Sequence, residues 1–370
     1  MPRVLITGGA GFIGSHLADR LLHAGYEVRA LDILDEQVHG PNQERPEYLD
    51  SNVELIVGDV RDPSIVRRAL NGVNGVFHLA AAVGVGQSMY EIARYTDVNS
   101  VGTAVLLEAM IERKVKRLLV ASSMSIYGEG LYKASDGSIV SDASRTRSDL
   151  ESGEWELHDN AGNPLIPIPT SEKKTPSLAS VYALSKYDQE RMTLIVGEAY
   201  GIRATALRLF NVFGTRQALS NPYTGVLAIF ASNLLNGNAP KIFEDGLQQR
   251  DFVSVSDVAK AFHLAYETDA AAGLALNVGS GRAYTILEIA QMIASFMEKD
   301  IEPEVTGTYR VGDIRHCFAD ISAARSILGF TPDVQLKDGL PDLVDWLNGQ
   351  TADDNVEYAR AQLAARKLEI

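Results

Sequence analysis

The chain has 370 residues, of which 46% are hydrophobic and 22% are charged, so it can bury a large core and divide into two domains. Its net charge of −14 disfavours binding to nucleic acids and to anionic membranes. The single cysteine, Cys317, excludes an internal disulfide framework and a cysteine-rich metal site, and it favours a reducing cytoplasm. The first apolar run, residues 4–6, is too short for a signal peptide or a membrane span. We therefore expect no membrane association and no metal.

In the first half of the chain, short β-branched apolar runs alternate with helical patterns, which is typical of βαβ units and a parallel sheet. Strands are predicted at residues 4–6, 27–31, 53–57, 75–79, 118–121 and 204–207. Helices are predicted at residues 12–24, 65–70, 95–113 and 181–200. The pattern indicates an α/β fold: a Rossmann-type doubly wound parallel sheet, with its ligand crevice at the carboxyl ends of the strands, and a smaller C-terminal substrate-binding lobe.

The predicted domains follow this change of pattern. A dinucleotide-binding domain spans residues 1–213, and residues 246–265 return to it. The substrate lobe spans residues 214–350, where prolines separate shorter elements. A polar stretch at residues 129–178 is too long for a structureless loop, so it must carry structure of its own, either as a surface excursion or as a lid over the site.

The C-terminal tail, residues 351–370, is predicted to form one amphipathic helix whose task is packing. Four residues carry this prediction, an N-cap and three apolar positions at helical spacing: Asp353, Val356, Ala359 and Leu363.

A Thr-Gly-Gly-Ala-Gly-Phe-Ile-Gly turn between the first predicted strand and helix has the setting of a dinucleotide-binding turn. Its glycines allow close approach to a pyrophosphate at the helix N-terminus: Gly8, Gly11 and Gly14. Asp32 ends the next strand, where its carboxylate can accept both ribose hydroxyls and repel a 2′-phosphate, so we expect NAD rather than NADP. Asp59, after the third strand, is either a contact for the adenine amino group or a turn residue that leads a helix.

Tyr182 and Lys186 share a helix face because they lie four residues apart. An ammonium beside a phenol stabilises the phenolate, so we expect the pKa of Tyr182 to be lowered toward neutrality, as a general base requires. Ser123 ends a predicted central strand, and strand carboxyl ends face the crevice. Such a Ser–Tyr–Lys group beside a nicotinamide suits the removal of an alcohol proton while the carbon gives up hydride.

From residue 4 to about residue 330 the chain resembles the extended short-chain dehydrogenases/reductases of the nucleotide-sugar epimerase/dehydratase family. Beyond the glycine turn and Tyr-x-x-x-Lys, the shared motifs are His-Leu-Ala-Ala at 78–81, Asp-Val-Asn at 97–99, Arg-Leu-Phe-Asn-Val-Phe-Gly at 208–214 and Arg-Asp-Phe-Val at 250–253. The resemblance implies that Tyr182 is the base, that Ser123 binds the alcohol and relays its proton, and that Lys186 contacts the cofactor ribose. It implies further cofactor contacts or support from Phe12, Ile13, Val60, Leu79, Ala80, Ala81 and Asn99.

The residues after Ser123 divide the family by reaction. Relatives that resemble sugar 4,6-dehydratases carry Asp and Glu there, because eliminating water needs an additional acid and base. This chain has Met124, which cannot transfer protons, and Ser125, a hydroxyl that we group with the catalytic residues. The resemblance therefore favours an NAD-dependent 4-epimerase. The alternatives are a dehydratase, decarboxylase or dehydrogenase of the same family, and a non-catalytic NAD-sensing protein.

The resemblance also implies a nucleotide-diphosphate sugar as the substrate. Arg250 and Arg310 would clamp its diphosphate, with Asn211 and the stretch from Gln217 to residue 223 contacting the diphosphate and nucleotide. Arg315 is interpreted as an ordinary surface ion pair. Residues 83–88 lack the lysine of many UDP-galactose epimerases, and the chain is more similar to 4-epimerases of dTDP-L-rhamnose. We expect a homodimer through the helices at 95–113 and 181–200, as is common in this family.

Overall fold

The computed structural model describes residues 1–218, 225–310, 312–348, 361–366 and 368. Its centre is a sheet of seven parallel strands in the order β7-β6-β5-β4-β1-β2-β3. The strands are β1 (Arg3–Thr7), β2 (Glu27–Asp32), β3 (Glu54–Val57), β4 (Gly75–His78), β5 (Arg117–Ser123), β6 (Arg203–Leu209) and β7 (Ala275–Val278). The reversal of strand order between β1 and β4 opens the crevice in which ligands of such sheets bind.

Each of the six strands predicted from the sequence is confirmed, with ends that differ by at most two residues. The seventh strand, β7, was not predicted. It pairs with β6 and brings residues 275–278 into the central sheet. The division into residues 1–213 and 214–350 remains a prediction. Besides residues 246–265, the pairing of β7 with β6 adds a second segment that returns to the first of these domains.

Helices cover both faces of the sheet, and apolar cores lie beneath them on each side. The covering helices and helical turns are Phe12–His23, Glu36–His39, Pro63–Ala69, Val85–Ser88, Ile92–Tyr95, Thr96–Val101, Gly102–Arg113, Val181–Tyr200, Val255–Glu267, Asp269–Ala271 and Ser322–Leu328. The long helix predicted at 95–113 is interrupted by the π-helical turn Thr96–Val101. The helix Val181–Tyr200 has the predicted bounds, because Ser180 caps its N-terminus and Gly201 ends it in a left-handed conformation.

The smaller lobe has a separate apolar core between the helices Val226–Leu235, Ile286–Phe296 and Leu336–Asn348. Short strands surround this core: Asn211–Phe213, Lys241–Ile242, Gln249–Arg250, Phe252–Ser254, Tyr284–Thr285, Glu304–Val305 and His316–Cys317. Asn211–Phe213 pairs with Phe252–Ser254 in parallel, so the segment that leaves β6 joins the two lobes.

The stretch at residues 129–178 carries structure of its own, as expected. It forms a three-stranded antiparallel sheet and the helix Arg147–Glu151, around a small buried cluster that includes Tyr132 and Leu157. The strands are Leu131–Lys133, Ile139–Val140 and Ile166–Ile168. The turn Met124–Tyr127 connects this insertion to β5.

Buried ion pairs hold the insertion against the smaller lobe. Arg315, interpreted from the sequence as a surface residue, is fully buried, which corrects that interpretation. Its guanidinium binds Glu156 of the insertion. It also binds two carboxylates of the lobe, Glu244 at 3.0 Å and Asp245 at 2.6 Å. Arg145 of the insertion reaches the same Glu244 at 2.7 Å. The sequence pattern gave no sign of this burial because all the carboxylates are distant in the chain.

Three of the four residues that predicted a tail helix, Asp353, Val356 and Ala359, lie outside the described residues. The fourth, Leu363, is buried, and its side chain packs on Gly86. The guanidinium carbon of Arg366 lies 4.5 Å from the ring centroid of Tyr90. The described part of the tail thus packs on the segment that follows β4. The helices that the structure describes include none with the length and apolarity that a membrane span requires.

Candidate active site

A cavity of about 680 Å³ lies at the carboxyl ends of the central strands. Most of the site residues predicted from the sequence line it: Gly8, Gly11, Phe12, Ile13, Gly14, Asp32, Asp59, Val60, Leu79, Ala80, Ala81, Ser123, Ser125, Tyr182, Lys186, Asn211 and Gln217. The structure therefore brings together groups at the carboxyl ends of six parallel strands, β1 to β6, and the helix Val181–Tyr200. Of the described residues, none from 129–178 is among its lining, which favours a surface excursion over a lid for the insertion.

The glycine turn packs so tightly that side chains are excluded at three positions, Gly8, Gly9 and Gly14. Gly8 has φ of +70°, and a Cβ atom there would lie 2.9 Å from the backbone nitrogen of Ala80. A Cβ atom at Gly14 would lie 2.1 Å from the carbonyl oxygen of Gly8. The first turn of the helix Phe12–His23 is therefore free to face the cavity with its backbone N–H groups, where an anion is stabilised.

Asp32 is fixed at the end of β2 by two backbone donors. Its carboxylate accepts hydrogen bonds from the N–H of Ala10 at 2.9 Å and from the N–H of Leu34 at 3.0 Å. Its side chain is 9% exposed and lines the cavity. The carboxylate is thus held in one orientation at the place predicted for the ribose hydroxyls.

Asp59 lines the same end of the cavity and is paired with Arg61. Although burial favours its protonated form, hydrogen bonds from the side chain and backbone of Arg61 hold the pKa of Asp59 below its usual value. Asp59 therefore remains an acceptor, as an adenine contact would require, and Arg61 is a lining residue that the sequence reasoning missed.

Asn99 does not line the cavity but supports it from behind. Its side chain accepts a hydrogen bond from the N–H of Ala82 at 2.7 Å, and donates to the carbonyl of Ala82 at 3.1 Å and to the hydroxyl of Ser185 at 2.9 Å. The amide thereby ties the segment after β4 to the helix that carries Tyr182. The π-helical turn around Asn99 aims this amide inward.

Three hydroxyl groups meet at the end of β5. Ser125 donates to the Oγ of Ser123 at 2.9 Å, and Tyr182 lines the same part of the cavity, where Ser123 favours its ionised form. The backbone N–H of Tyr182 donates to Ser88 at 3.0 Å, which anchors the first turn of the helix. This arrangement can bind an alcohol oxygen and pass its proton.

The pKa of Tyr182 is raised rather than lowered, which corrects the direction expected from the sequence. Burial in the cavity destabilises the phenolate, and the hydrogen bond with Ser123 only partly opposes this. Lys186 is itself buried, and burial lowers the pKa of its ammonium to about 7, against a smaller opposing effect of Glu190. The expectation failed because it counted the charge of the lysine and not the desolvation of both groups.

Gln189 is a site residue that the sequence reasoning missed. Its side-chain carbonyl accepts a hydrogen bond from the Nζ of Lys186 at 2.7 Å, and it is completely buried. The available signal was a polar residue three positions after Lys186, on a face of the helix that must be buried if the lysine faces the site.

The predicted substrate contacts divide into two groups. Asn211 and Gln217 line the cavity, and the side-chain oxygen of Asn211 is buried without a hydrogen-bond partner. Arg250 instead binds the carbonyls of Gln249, Ile314 and Arg315, and Arg310 pairs with Asp313 and stacks on Phe243. Neither arginine is among the described lining residues, and residues 219–223 of the predicted contact stretch lie outside the described residues.

A parallel sheet with a glycine turn, an oriented carboxylate in the cavity wall and a Ser–Tyr–Lys group is the arrangement of a dinucleotide-binding protein suited to alcohol redox chemistry. A family profile described as the NAD dependent epimerase/dehydratase family matches residues 4–150 and 158–279. The chain belongs to this family, and NAD is its cofactor.

Relatives and solved structures cover nearly the whole chain. A dTDP-L-rhamnose 4-epimerase of Burkholderia thailandensis is 36% identical over 93% of this chain and 94% of that protein. A UDP-N-acetyl-alpha-D-glucosaminuronate decarboxylase of Bacillus cytotoxicus is 30% identical over 93% of this chain and 97% of that protein. The UDP-glucose 4-epimerase of Thermotoga maritima with UDP-glucose aligns with a TM-score of 0.77 and 31% identity, over 94% of this chain and 98% of that one. The enzyme of the same name from Thermus thermophilus, in complex with NAD, aligns with a TM-score of 0.75 and 31% identity, over 94% and 100% of the two chains.

The residues of the cavity fit NAD. The close approach at Gly8 and Gly14 leaves backbone N–H groups for a pyrophosphate, and Asp32 presents an oriented carboxylate for ribose hydroxyls. The unpartnered oxygen of Asn211 lies in the wall of the same cavity, where a second ligand would meet it. Within the described part of the chain, no group of three or more His, Cys, Asp or Glu side chains could hold a metal ion.

Proposed function

We propose that the chain is an NAD-dependent nucleotide-sugar 4-epimerase. The observation that carries the proposal is that Ser123 and Tyr182 line the same dinucleotide cavity, with Lys186 one helical turn further along. A protein that only sensed NAD would have no need of a hydroxyl relay at this position.

In the proposed reaction, Ser123 binds O4 of the sugar and Tyr182 removes its proton. NAD, when bound, supplies the hydride acceptor and donor at C4. Lys186 binds the cofactor ribose and stabilises the phenolate of Tyr182 by its charge. The anchored diphosphate lets the 4-keto sugar turn over, so that the opposite face of C4 is presented for return of the hydride and Tyr182 returns the proton to O4.

The residues after Ser123 favour epimerisation over dehydration. Met124 has no proton to exchange, and Ser125 donates its hydroxyl to Ser123. No carboxylate stands at either position to abstract the C5 proton or protonate a leaving hydroxyl. A decarboxylase or a dehydrogenase of the same family is the second candidate, favoured by the decarboxylase relative that covers nearly the whole chain.

For the substrate, we propose dTDP-L-rhamnose and its C4 epimer, dTDP-6-deoxy-L-talose, with a UDP-hexose as the alternative. The support is the 36% identity with a dTDP-L-rhamnose 4-epimerase. Asn211 and Gln217 would contact the nucleotide diphosphate from the cavity wall. Arg250 and Arg310 would contribute as a clamp after a rearrangement of the segment that holds them, because both are engaged by neighbouring groups.

We also propose a homodimer and a cytoplasmic location. Val101, Leu184 and Ile195 are exposed apolar residues on the neighbouring helical segments that flank β5, and pairing with a second copy would bury them. Light scattering should therefore give twice the chain mass for the wild type, and Ile195→Glu should yield a monomer. A monomeric wild type would refute this assembly.

The proposed function is tested by incubating the purified protein with dTDP-L-rhamnose, UDP-glucose, UDP-galactose and UDP-glucuronic acid, followed by chromatography and absorbance of NADH. We expect a C4 epimer without net NADH. Loss of water or CO₂, or accumulation of NADH, would establish the second candidate. An absence of any product with all four sugars, in protein that binds NAD, would contradict catalysis of this kind.

A further inference from the structure

We propose that Gln189 is a positioning residue for Lys186: its side-chain carbonyl holds the lysine ammonium in place and keeps it charged one helical turn from Tyr182. The inference rests on the proposed function, because it assigns Lys186 the task of stabilising the phenolate of Tyr182.

The contact between the two side chains is buried and its polarity is defined. Lys186 is 3% exposed and Gln189 is 0% exposed. The ammonium has only donors, so the group of Gln189 that faces it at 2.7 Å must be the carbonyl oxygen. The amide nitrogen of Gln189 then points the other way, where it donates to the hydroxyl of Thr103 at 2.8 Å.

Thr103 and His78 hold this amide in its orientation. The hydroxyl of Thr103 donates its one proton to the carbonyl of Asn99 at 2.5 Å, so it accepts from the amide of Gln189. Nε2 of His78 lies 2.9 Å from that hydroxyl and 3.2 Å from the amide nitrogen of Gln189, and Nδ1 of His78 lies 2.7 Å from the hydroxyl of Thr7. Burial, together with the charge of Lys186, lowers the pKa of His78 to about 3, so the imidazole is neutral.

Among the groups around Lys186, the carbonyl of Gln189 is the one that accepts a hydrogen bond from its ammonium. Glu190 on the same helix is occupied by Arg208 at 2.6 Å and by Ser122. His78 from β4 is neutral. The ring of Tyr95 lies with its centroid 6.4 Å from that of Tyr182, and burial raises the pKa of Tyr95. Because burial lowers the pKa of Lys186 to about 7, its charge at neutral pH depends on any acceptor that stabilises the cation. Gln189 is such an acceptor, and it adds no negative charge that would cancel the field at Tyr182.

Two substitutions separate positioning from packing. Gln189→Met keeps the length and bulk of the side chain but removes the acceptor, and Gln189→Glu keeps the shape but places a carboxylate against the ammonium. Both should weaken the positive field at Tyr182. The matched control is Thr193→Val, one turn further along the same helix, where a completely buried hydroxyl has no hydrogen-bond partner.

The measurement is an ultraviolet difference titration of tyrosinate in the NAD-loaded full chain, with Tyr182→Phe subtracted in each background. We expect the pKa of Tyr182 to rise by about one unit in Gln189→Met and Gln189→Glu, and to remain unchanged in Thr193→Val. At a pH below this pKa, kcat should fall about tenfold while KM for the sugar stays the same. If one variant does not fold, the other gives the same readout.

Tyr182 titrating in both Gln189 variants as it does in Thr193→Val would overturn the inference. The titration needs no sugar substrate, so it decides the role of Gln189 even if the wild type epimerises none of the sugars tested. Failure of the proposed function and failure of this inference are therefore distinct results.

Discussion

The carboxylate of Asp32 accepts a hydrogen bond from the backbone N–H of Ala10 at 2.9 Å, which joins the end of β2 to the middle of the glycine turn. A second bond, from the N–H of Leu34 at 3.0 Å, fixes the other carboxylate oxygen. The group predicted to read the cofactor ribose is thus part of the turn predicted to hold the pyrophosphate. Substitutions at either place should affect NAD binding with little effect on the rest of the fold.

Asp32→Ala should weaken NAD binding by about 10- to 100-fold, because a charged hydrogen bond to ribose is lost. It should also bring the affinity for NADP closer to that for NAD, since the carboxylate no longer repels a 2′-phosphate. Calorimetric titration with both cofactors measures the two effects. An unchanged ratio of the two affinities would show that Asp32 does not select the cofactor.

Gly14→Ala should abolish NAD binding, because the new methyl group would lie 2.1 Å from the carbonyl oxygen of Gly8 and force the helix away from the turn. Gly25→Ala is the matched control. Gly25 has φ of +86° with no neighbouring atom within 4 Å, so alanine there costs only the roughly 1–2 kcal/mol of a left-handed conformation. Fluorescence titration with NAD should show full binding in the control, and tight binding by Gly14→Ala would contradict the close packing of the turn.

Arg315→Met should lower the free energy of unfolding by about 3–5 kcal/mol, because three carboxylates lose a fully buried cation. Arg147→Ala is the comparison: this arginine pairs with Glu151 at an exposed position, and its loss should change stability by at most about 0.5 kcal/mol. Urea denaturation followed by circular dichroism measures both. Equal stabilities of the two variants would mean that the buried network does not hold the insertion to the lobe.

Glu156→Gln should make the protein less sensitive to acid. Burial opposes ionisation of Glu156, but hydrogen bonds from His316 and Arg315 outweigh it and lower the pKa of this carboxyl from 4.5 to about 2. A carboxyl with a lowered folded-state pKa stabilises the fold above pH 4.5, and this contribution is lost as the pH falls toward 2. The gap in unfolding free energy between wild type and Glu156→Gln should therefore be widest at neutral pH and narrow below about pH 4.5. Glu151→Gln is the exposed control, and a gap that widens on acidification would exclude this role.

The residues that local spacing predicted to face the crevice do line the cavity, and their roles there remain predictions. The glycines of the turn, Asp32 at the end of β2, and the pair Tyr182 and Lys186 each follow from a strand or helix and its immediate neighbours. The strand β7 escaped prediction because its four residues lie far along the chain from its partner, β6. Pairing between strands that are distant in the chain produces no local sequence pattern from which β7 could be predicted.

Burial and charge were harder to foresee than position. Arg315 was interpreted as a surface residue because its partners, Glu156 and Glu244, are distant in sequence. The pKa of Tyr182 has the opposite direction to the one expected, because desolvation depends on how the helix packs and not on the spacing to Lys186. Gln189 was overlooked for the same reason, since its contact with Lys186 matters only once both side chains are known to be buried.

Transient oxidation at C4 with return of the same hydride is tested most directly with dTDP-L-rhamnose that carries deuterium at C4. The product should be the C4 epimer with the deuterium still at C4, formed without net NADH, and Tyr182→Phe should bind NAD normally but lose activity by orders of magnitude. Exchange of the deuterium for solvent hydrogen in the epimer, or near-normal turnover by Tyr182→Phe, would contradict a hydride returned within one site under the control of Tyr182.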